Sequence, residues 1–429
     1  MKALFSIVFF CISFSQISAY AQNPAQPKIG VLKWKFKSNG KFFSSPTVSS
    51  NKVFIGGNDS VIYAVNIKTG RKAWAYKTDG SVNSSPVVFK NTVYVGSFDG
   101  HLYALDVNNG KIKWKFATNG EKRMGARGLW GMQPSDLYME DQYDLIRSSP
   151  VVDMKSKVPI VYFGSSDGYI YALNAADGEL IWKFKTNGII RASPVLNNGK
   201  LYIGSWDTYI YALDQKTGKL VWKYKTGEDD KVHLMEGIQA SAVVYGGKLF
   251  VGSRDGFFYC LDAETGELNW KYDGKGSWIV ASAAVKNETV YLTTSDSYLF
   301  IALNILTGKE KYSIKTSGYN FSSPLVNGNN IYFGDFSGKI YSVNAEHGKI
   351  EGEFETTSRL KYKEEVLDRE GKLDFVHSAG KSNPALSQTG IEVMDKFYKL
   401  GSIVSSPIIA NGIIYFGSAD GYLYAVKMP

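Results

Sequence analysis

The sequence predicts an all-β fold: an eight-bladed β-propeller of four-stranded blades, closed by the N-terminal strand completing the C-terminal blade. Three observations predict it. The tripeptide SSP starts at Ser44, Ser84, Ser148, Ser322 and Ser405, and looser versions start at Ala192, Ala240 and Ala281, eight copies in all. A VYVGS-like segment also occurs eight times, at Val53, Val93, Val161, Leu201, Leu249, Val290, Ile331 and Ile414, each followed by a turn and a YALD-like segment. The two ends also complement each other. A lone strand, Val31–Lys37, precedes the first SSP, and the final segment, Tyr422–Val426, has no strand after it. A period of about 40 residues is that of a propeller blade, and joining the first strand to the last sheet leaves no exposed blade end. The competing architecture, a linear stack of sheets, leaves both ends open.

Taken in order, each repeat offers strands A (SSPVV), B (VYVGS), C (LYALD) and D (WKFKT). Strands B and C are almost continuously apolar, as in Val93–Val95 and Ile170–Leu173, which means burial on both faces. Strand D alternates, Trp34 and Phe36 against Lys33, Lys35 and Lys37, then Trp114 and Phe116 against Lys113 and Lys115. One of its faces is therefore buried and the other wet, and lysine on an outermost strand discourages edge-to-edge pairing. The C-to-D connections Asp106–Gly110, Asp214–Gly218 and Asp262–Gly266 share one form. The leading Asp caps the turn and the Gly takes the positive-φ position. Gly and turn residues recur about every 10 residues, which leaves no room for helices in the repeats.

Composition agrees with this reading. The 429 residues are 44% hydrophobic and 14% aromatic with 43 glycines, as suits an all-β chain rich in turns. The net charge of +9 is spread along WKFK-type segments rather than clustered, which argues against nucleic-acid binding. Residues 1–21 read as a signal peptide: Lys2, an apolar stretch from Leu4 to Ile12, then Ala19-Tyr20-Ala21 as a cleavage signal. A periplasmic or secreted protein is expected. Cys11 follows Phe10 inside the apolar stretch, so no lipidation signal is read there. Cleavage leaves Cys260 as the single thiol and excludes an intramolecular disulfide. No second apolar run reaches membrane length, so no membrane span and a soluble monomer are expected.

The residues from C into D resemble the tryptophan-docking motif of PQQ-repeat propellers, A-x-[DN]-x-x-x-G-[KRE]-x-x-W. Ala64 to Trp74, Ala104 to Trp114, Ala172 to Trp182 and Ala212 to Trp222 fit throughout. Cys260 to Trp270 replaces the Ala, Ala302 to Tyr312 replaces the Trp, and Ser342 to Gly352 keeps only Asn344, Gly348 and Lys349. Ala425 and Trp34 would form the split eighth copy, so the resemblance spans residues 31–429. It implies that Trp34, Trp74, Trp114, Trp182, Trp222 and Trp270 are structural docking residues, packed on the neighbouring blade rather than offered to a ligand. The family includes quinoprotein dehydrogenases, with pyrroloquinoline quinone (PQQ) and calcium in the central funnel. It also includes the propeller lipoprotein of the outer-membrane β-barrel assembly machinery, and exported propellers near polysaccharide degradation. This chain departs from the first two: it is shorter than the dehydrogenases and lacks both their adjacent cysteine pair and the lipoprotein's lipidated cysteine.

Strand alternation places the D-to-A and B-to-C connections on one face. The three long insertions, Glu121–Leu145, Gly227–Gly237 and Thr357–Leu400, are all D-to-A connections, and long loops on a rigid scaffold commonly carry function. The last has helical stretches, Lys363–Arg369 and Gly390–Tyr398, and is placed to cap the funnel. The residues before each SSP-like segment should rim the channel: Phe43, Asn83, Arg147, Arg191, Gln239, Val280, Phe321 and Val404. Arg147 and Arg191 side by side make an anion site, because guanidinium forks match carboxylates. Trp206 and Arg254 in B-to-C turns, and Trp278 in a D-to-A connection, are candidates to stack on a quinone or a sugar ring. The ligand-binding candidates are thus Asn83, Arg147, Arg191, Gln239, Trp206, Arg254 and Trp278. The alternative is that these arginines pair with insertion carboxylates such as Asp141 or Asp144.

No catalytic residue is identified. His101, His233, His347 and His377 have no metal-ligand spacing, and Asp167, Asp207 and Asp255 recur as turn caps. Three functions remain: a PQQ-binding or PQQ-like ligand-binding propeller, a quinoprotein oxidoreductase if it is an enzyme; a non-enzymatic scaffold for an envelope protein; and an accessory carbohydrate-binding protein. The missing cysteine pair and metal ligands count against a dehydrogenase, and the insertions favour a small anionic or planar ligand.

Overall fold

The computed structural model describes residues 29–228 and 236–428. Residues 1–21, where a signal peptide is expected, and His233 with most of the 227–237 insertion, lie outside the described residues.

Eight four-stranded antiparallel sheets make the blades; in seven of them strands A to D are consecutive along the chain, and in the eighth strand D is supplied by Val31–Lys37. Blade 5 is typical: Val243–Tyr245, Lys248–Gly252, Phe257–Asp262 and Leu268–Asp273. The B and C strands are buried along their length, as in Leu249–Gly252 and Phe258–Leu261. Strand D alternates, Trp222 buried between exposed Val221 and Lys223. The ring closes as the two ends predict. Val31–Lys37 pairs antiparallel with Tyr422–Lys427, placing Trp34 opposite Ala425 in blade 8.

Eight of the apolar clusters among the described residues are each built from two adjacent blades. Tyr202, Ile210 and Trp222 of blade 4, for example, pack with Leu249, Val251 and Tyr259 of blade 5. The docking tryptophans fix this contact. The Trp222 indole N–H donates to the Ala263 carbonyl at 3.2 Å, and the same bond runs from Trp34 to Ile67, Trp74 to Val107, Trp114 to Ala175, Trp182 to Gln215 and Trp270 to Ile305. The ring lies flat on the turn glycine: a Cβ on Gly266, at φ +79°, would sit 2.6 Å from the Trp222 ring. The motif's Gly and Trp are therefore two halves of one joint between neighbouring blades. Tyr312 serves in the sixth blade, its hydroxyl donating to Ala345 at 2.8 Å.

The joint between blades 7 and 8 has neither half. Gly352 stands where the Trp would be, and blade 8 has no C-to-D turn because its C and D strands come from opposite ends of the chain. Here the 357–400 insertion bridges instead. It contains helices α1 (Thr357–Tyr362), α2 (Phe375–Ala379) and α3 (Ser387–Leu400). Thr357 Oγ1 lies 3.0 Å from the Tyr424 hydroxyl and accepts from Lys35 Nζ at 2.9 Å, while Arg359 donates to the Ser337 carbonyl at 2.7 Å. The helix expected over 363–369 is only a 3-10 turn at 363–365, since the ordered helix precedes it. Gly390–Tyr398 does lie within α3.

Insertion 121–145 folds as a small hairpin, Gly125–Arg127 with Tyr138–Glu140, and meets α3 over the same mouth. Gln133 N–H donates to Ala385 O at 2.9 Å, and the Tyr398 hydroxyl donates to Gln142 O at 2.9 Å. The B-to-C turn aspartates cap and link. Asp207 accepts from Tyr209 N–H within its own turn at 3.2 Å and from Asn187 N–H of the preceding connection at 2.8 Å.

Candidate functional site

The second residue of every SSP-like copy is serine, and these serines encircle the axis. The N–H of Ser45 donates to Ser85 Oγ, Ser85 to Ser149, Ser149 to Ser193, Ser193 to Ser241, Ser282 to Ser323, Ser323 to Ser406 and Ser406 back to Ser45, at 2.9–3.0 Å. The first serine works within the blade. Ser44 Oγ, for instance, accepts from Gly56 N–H at 2.9 Å and ties the start of strand A to the end of strand B. Bounded by this ring, the axis holds a chamber of about 180 Å³ that Asn83, Arg147 and Gln239 line.

Insertion 121–145 seals the mouth with carboxylates. Arg191 makes a two-pronged pair with Asp144, Nε to Oδ1 and Nη2 to Oδ2, both 2.7 Å, with both side chains fully buried. Arg254 Nη2 donates to Asp141 at 2.9 Å and its Nε to Gln239 Oε1 at 3.1 Å. Its guanidinium lies 4.7 Å from the Trp206 ring centroid and 3.8 Å from that of Trp278. Arg147 Nη2 donates to Glu121 Oε1 at 2.6 Å, and Asn83 Nδ2 donates to Leu145 O at 3.1 Å. The guanidiniums of Arg123, Arg147 and Arg191 all lie within 5.6 Å of the Phe98 ring.

All seven sequence-derived candidates therefore converge, but on the protein's own plug. The expected free anion site at Arg147 and Arg191 is corrected to internal pairing: three buried cations meet Glu121, Asp141 and Asp144, because stranding so many charges without partners would cost several kcal/mol each. Trp206 and Trp278 both flank the Arg254 guanidinium. The two rim arginines differ. Burial lowers Arg191, but Asp144 more than reverses it and holds the guanidinium above its ordinary range. Arg147 falls below that range, because burial and then the nearby Arg191 outweigh its single bond to Glu121.

A second cavity, again of about 180 Å³, lies between the two insertions and blades 6 and 7. Tyr143, Trp278, Tyr319, Phe321 and Met394 give it apolar walls, and Asp296 is its acidic residue. Tyr143 meets Trp278 edge-on, with ring centroids 6.1 Å apart and planes at 89°. The hydroxyls of Tyr143 and Tyr298 are hydrogen-bonded to Tyr319, and burial pushes all three phenols up, so they stay neutral. Sequence reasoning reached Trp278 but missed Tyr143, Tyr319, Glu121 and the serine ring. The serine was in view as an eightfold constant, and its constancy at a turn-adjacent site was the available signal.

A closed ring of eight four-stranded blades with docked tryptophans and a capped mouth defines a repeat propeller. A family model described as the beta-propeller of the beta-alanine-activating enzyme matches residues 137–428, and one described as outer membrane protein assembly factor BamB matches residues 25–133. The chain belongs to the PQQ-repeat β-propeller family. It is 45% identical over 42 residues to a beta-alanine-activating enzyme of Danio rerio, a stretch covering 10% of this chain and 4% of that relative's length. Among solved structures it is similar to BamB from Moraxella catarrhalis, at TM-score 0.63 and 17% identity, covering 92% of this chain and 97% of that one. It is also similar to quinohemoprotein alcohol dehydrogenase from Comamonas testosteroni, at TM-score 0.64 and 16% identity, covering 94% and 78%. At these identities the structural likeness establishes the fold.

Proposed function

We infer that this is an exported, non-enzymatic binding propeller that takes a small planar ligand at its capped mouth. The observation that carries the reading is the aromatic cavity between the two insertions and blades 6 and 7. It is predominantly apolar and edged by a few polar groups, the usual character of a small-molecule site. Export rests on the leader-like pattern of residues 1–21. The residues do not fit PQQ with calcium. The mouth arginines that would receive its carboxylates are committed to Glu121, Asp141 and Asp144, and among the described residues no three His, Cys, Asp or Glu side chains converge as a metal cage.

The test uses a substitution that fills the cavity. Gly390 sits in α3 against Met132, whose Cε lies 3.0 Å from an added Cβ, so Gly390→Leu places bulk in the pocket and improves helix propensity. A panel of monocyclic aromatics and monosaccharides is titrated by calorimetry into both proteins. Saturable binding to the wild type, weakened at least about tenfold in Gly390→Leu, is expected. Binding that survives the substitution refutes this site. Saturable uptake of PQQ with calcium, lost in Arg147→Ala and Arg191→Ala, would restore the quinoprotein reading.

One observation favours a second reading, a scaffold for an envelope protein. Ile112, Leu180, Ile181, Leu220, Val221 and Leu268 are exposed at the starts of strand D in blades 2 to 5, forming an apolar rim on the face away from the insertions. Pull-down with β-barrel assembly components, compared with a Leu180→Lys, Leu220→Lys variant, tests it.

A further inference from the structure

The carboxylates of the B-to-C turns have a fixed job in this fold. In seven blades the turn aspartate accepts from the hydroxyl of its own strand-C tyrosine, as Asp207 does from Tyr211 at 2.7 Å. Blade 6 departs from this. Ile301 stands where the tyrosine would be, opposite Leu292 as Tyr259 stands opposite Val251 in blade 5. Its turn has five residues, 294–298, against four, 253–256, in blade 5. Asp296 is thereby released from capping. Among the described residues only the Ser295 hydroxyl donates to it, at 2.5 Å, and no cation pairs with it. It is exposed, and it is the one charged side chain lining the aromatic cavity. In a chain of net charge +9, the mouth of this cavity therefore carries a lone negative charge.

The walls suit the opposite charge. Tyr143, Trp278, Tyr319, Phe321 and Phe375 line the cavity, and the faces of aromatic rings attract cations. Arg254 already covers one face of Trp278 at 3.8 Å, whereas among the described residues no protein cation lies over Tyr319, Phe321 or Phe375. Met132, Met139 and Met394 add polarizable thioethers that adapt to a guest. Burial is the main cause that keeps the phenols of Tyr143, Tyr298 and Tyr319 neutral, and the Asp296 charge adds to it, so that charge acts on the cavity wall.

We propose that the aromatic cavity binds an organic monocation, a small planar ring bearing a protonated or quaternary ammonium group, with the ring among the aromatic walls and the ammonium at Asp296. The proposal rests on the cavity being the binding site and adds the sign of the ligand's charge. The size fits: an apolar cavity of about 150 Å³ takes benzene, so about 180 Å³ admits one ring with its ammonium at the mouth.

Benzylamine, benzyl alcohol and benzoate share one ring and differ in charge. Each is titrated by calorimetry into the full chain at about pH 7, where an alkylamine is protonated. Benzylamine is expected to bind about fivefold tighter than benzyl alcohol, the size of an ion pair at a site open to solvent, and benzoate weakest. Added salt should narrow the gap between amine and alcohol. Asp296→Asn keeps the shape of an exposed side chain whose one bond is to Ser295, so it is expected to fold as the wild type does, by circular dichroism. It should lower benzylamine to the level of benzyl alcohol and leave the alcohol unchanged, while Gly390→Leu weakens both. Benzylamine binding no tighter than the alcohol, or a preference that survives Asp296→Asn, overturns the proposal and leaves a cavity for neutral ligands. If none of the three probes binds, the cavity itself is not the site and the proposal falls with it.

Discussion

Replacing Asp144 by Ala should release the plug from the propeller. The side chains of Asp144 and Arg191 are both fully buried, so solvent screening does not soften their pairing. Asp144 accepts two bonds from Arg191 at 2.7 Å and one from Met124 N–H at 3.0 Å. Arg191 would keep only the Lys122 carbonyl, the Ser166 hydroxyl and Glu121 at 3.7 Å. Breaking a buried pair by removing one partner costs about 3–5 kcal/mol, and these leftover partners place the loss near the lower end, about 3 kcal/mol. Urea unfolding reads the global part, and hydrogen exchange across residues 121–145 reads the local part, which should open first. The partner test is Asp144→Ala with Arg191→Met, which removes both charges and should recover most of the loss in a double-mutant cycle. A loss under about 1 kcal/mol with unchanged exchange in 121–145 would refute the reasoning, since the pair would then not hold the plug.

Three further outcomes are expected. Gly266→Ala puts a Cβ 2.6 Å from the Trp222 ring at a φ of +79°, and should cost about 2 kcal/mol or more by urea unfolding. Gly352→Trp should give no stabilisation in the same assay, because blade 8 offers no turn glycine to receive the indole. Burial pushes the Cys260 thiol from 9.0 up to about 12, so it should resist iodoacetamide at about pH 8 and react once unfolded in urea, as followed by mass spectrometry. Because that shift is upward, the thiol's contribution to stability is full below pH 9 and is lost as pH climbs toward 12, which urea titrations of wild type and Cys260→Ala across that range would compare.

The fold was legible because each blade must solve the same packing problem. Eight copies of VYVGS-like and SSP-like segments repeat one burial pattern, and the Gly–Trp joint repeats at fixed offsets. The ring closure was legible for a related reason: a strand without a sheet and a sheet without a strand have one common solution. The site was legible only in location. Seven of the eight residues before an SSP-like segment line the axial chamber, Arg191 being the exception, but the partners of the polar ones depend on an irregular loop. Arg254 and Asp141 are 113 positions apart, and no periodicity links them. Asp141 and Asp144 were visible as possible partners of the rim arginines, whereas Glu121, at the first residue of the insertion, was not singled out. The helical start at Thr357 was displaced from the expected 363–369 because Thr356 supplies the cap, its Oγ1 accepting from Arg359 N–H at 3.2 Å.

The roof of the aromatic cavity doubles as the clasp of the ring. Gly390 and Met394 on α3 cover the cavity, and Thr357 at the start of the same insertion fastens Tyr424 and Lys35 across the joint that lacks both the docking aromatic and the turn glycine. A hinged door is therefore a poor description of this cover, because swinging it outward would unbuckle the propeller at its weakest joint. A guest small enough for the cavity would enter past rotating methionine side chains, and any agent that pried the cover away would be felt as a loss of closure in the whole wheel.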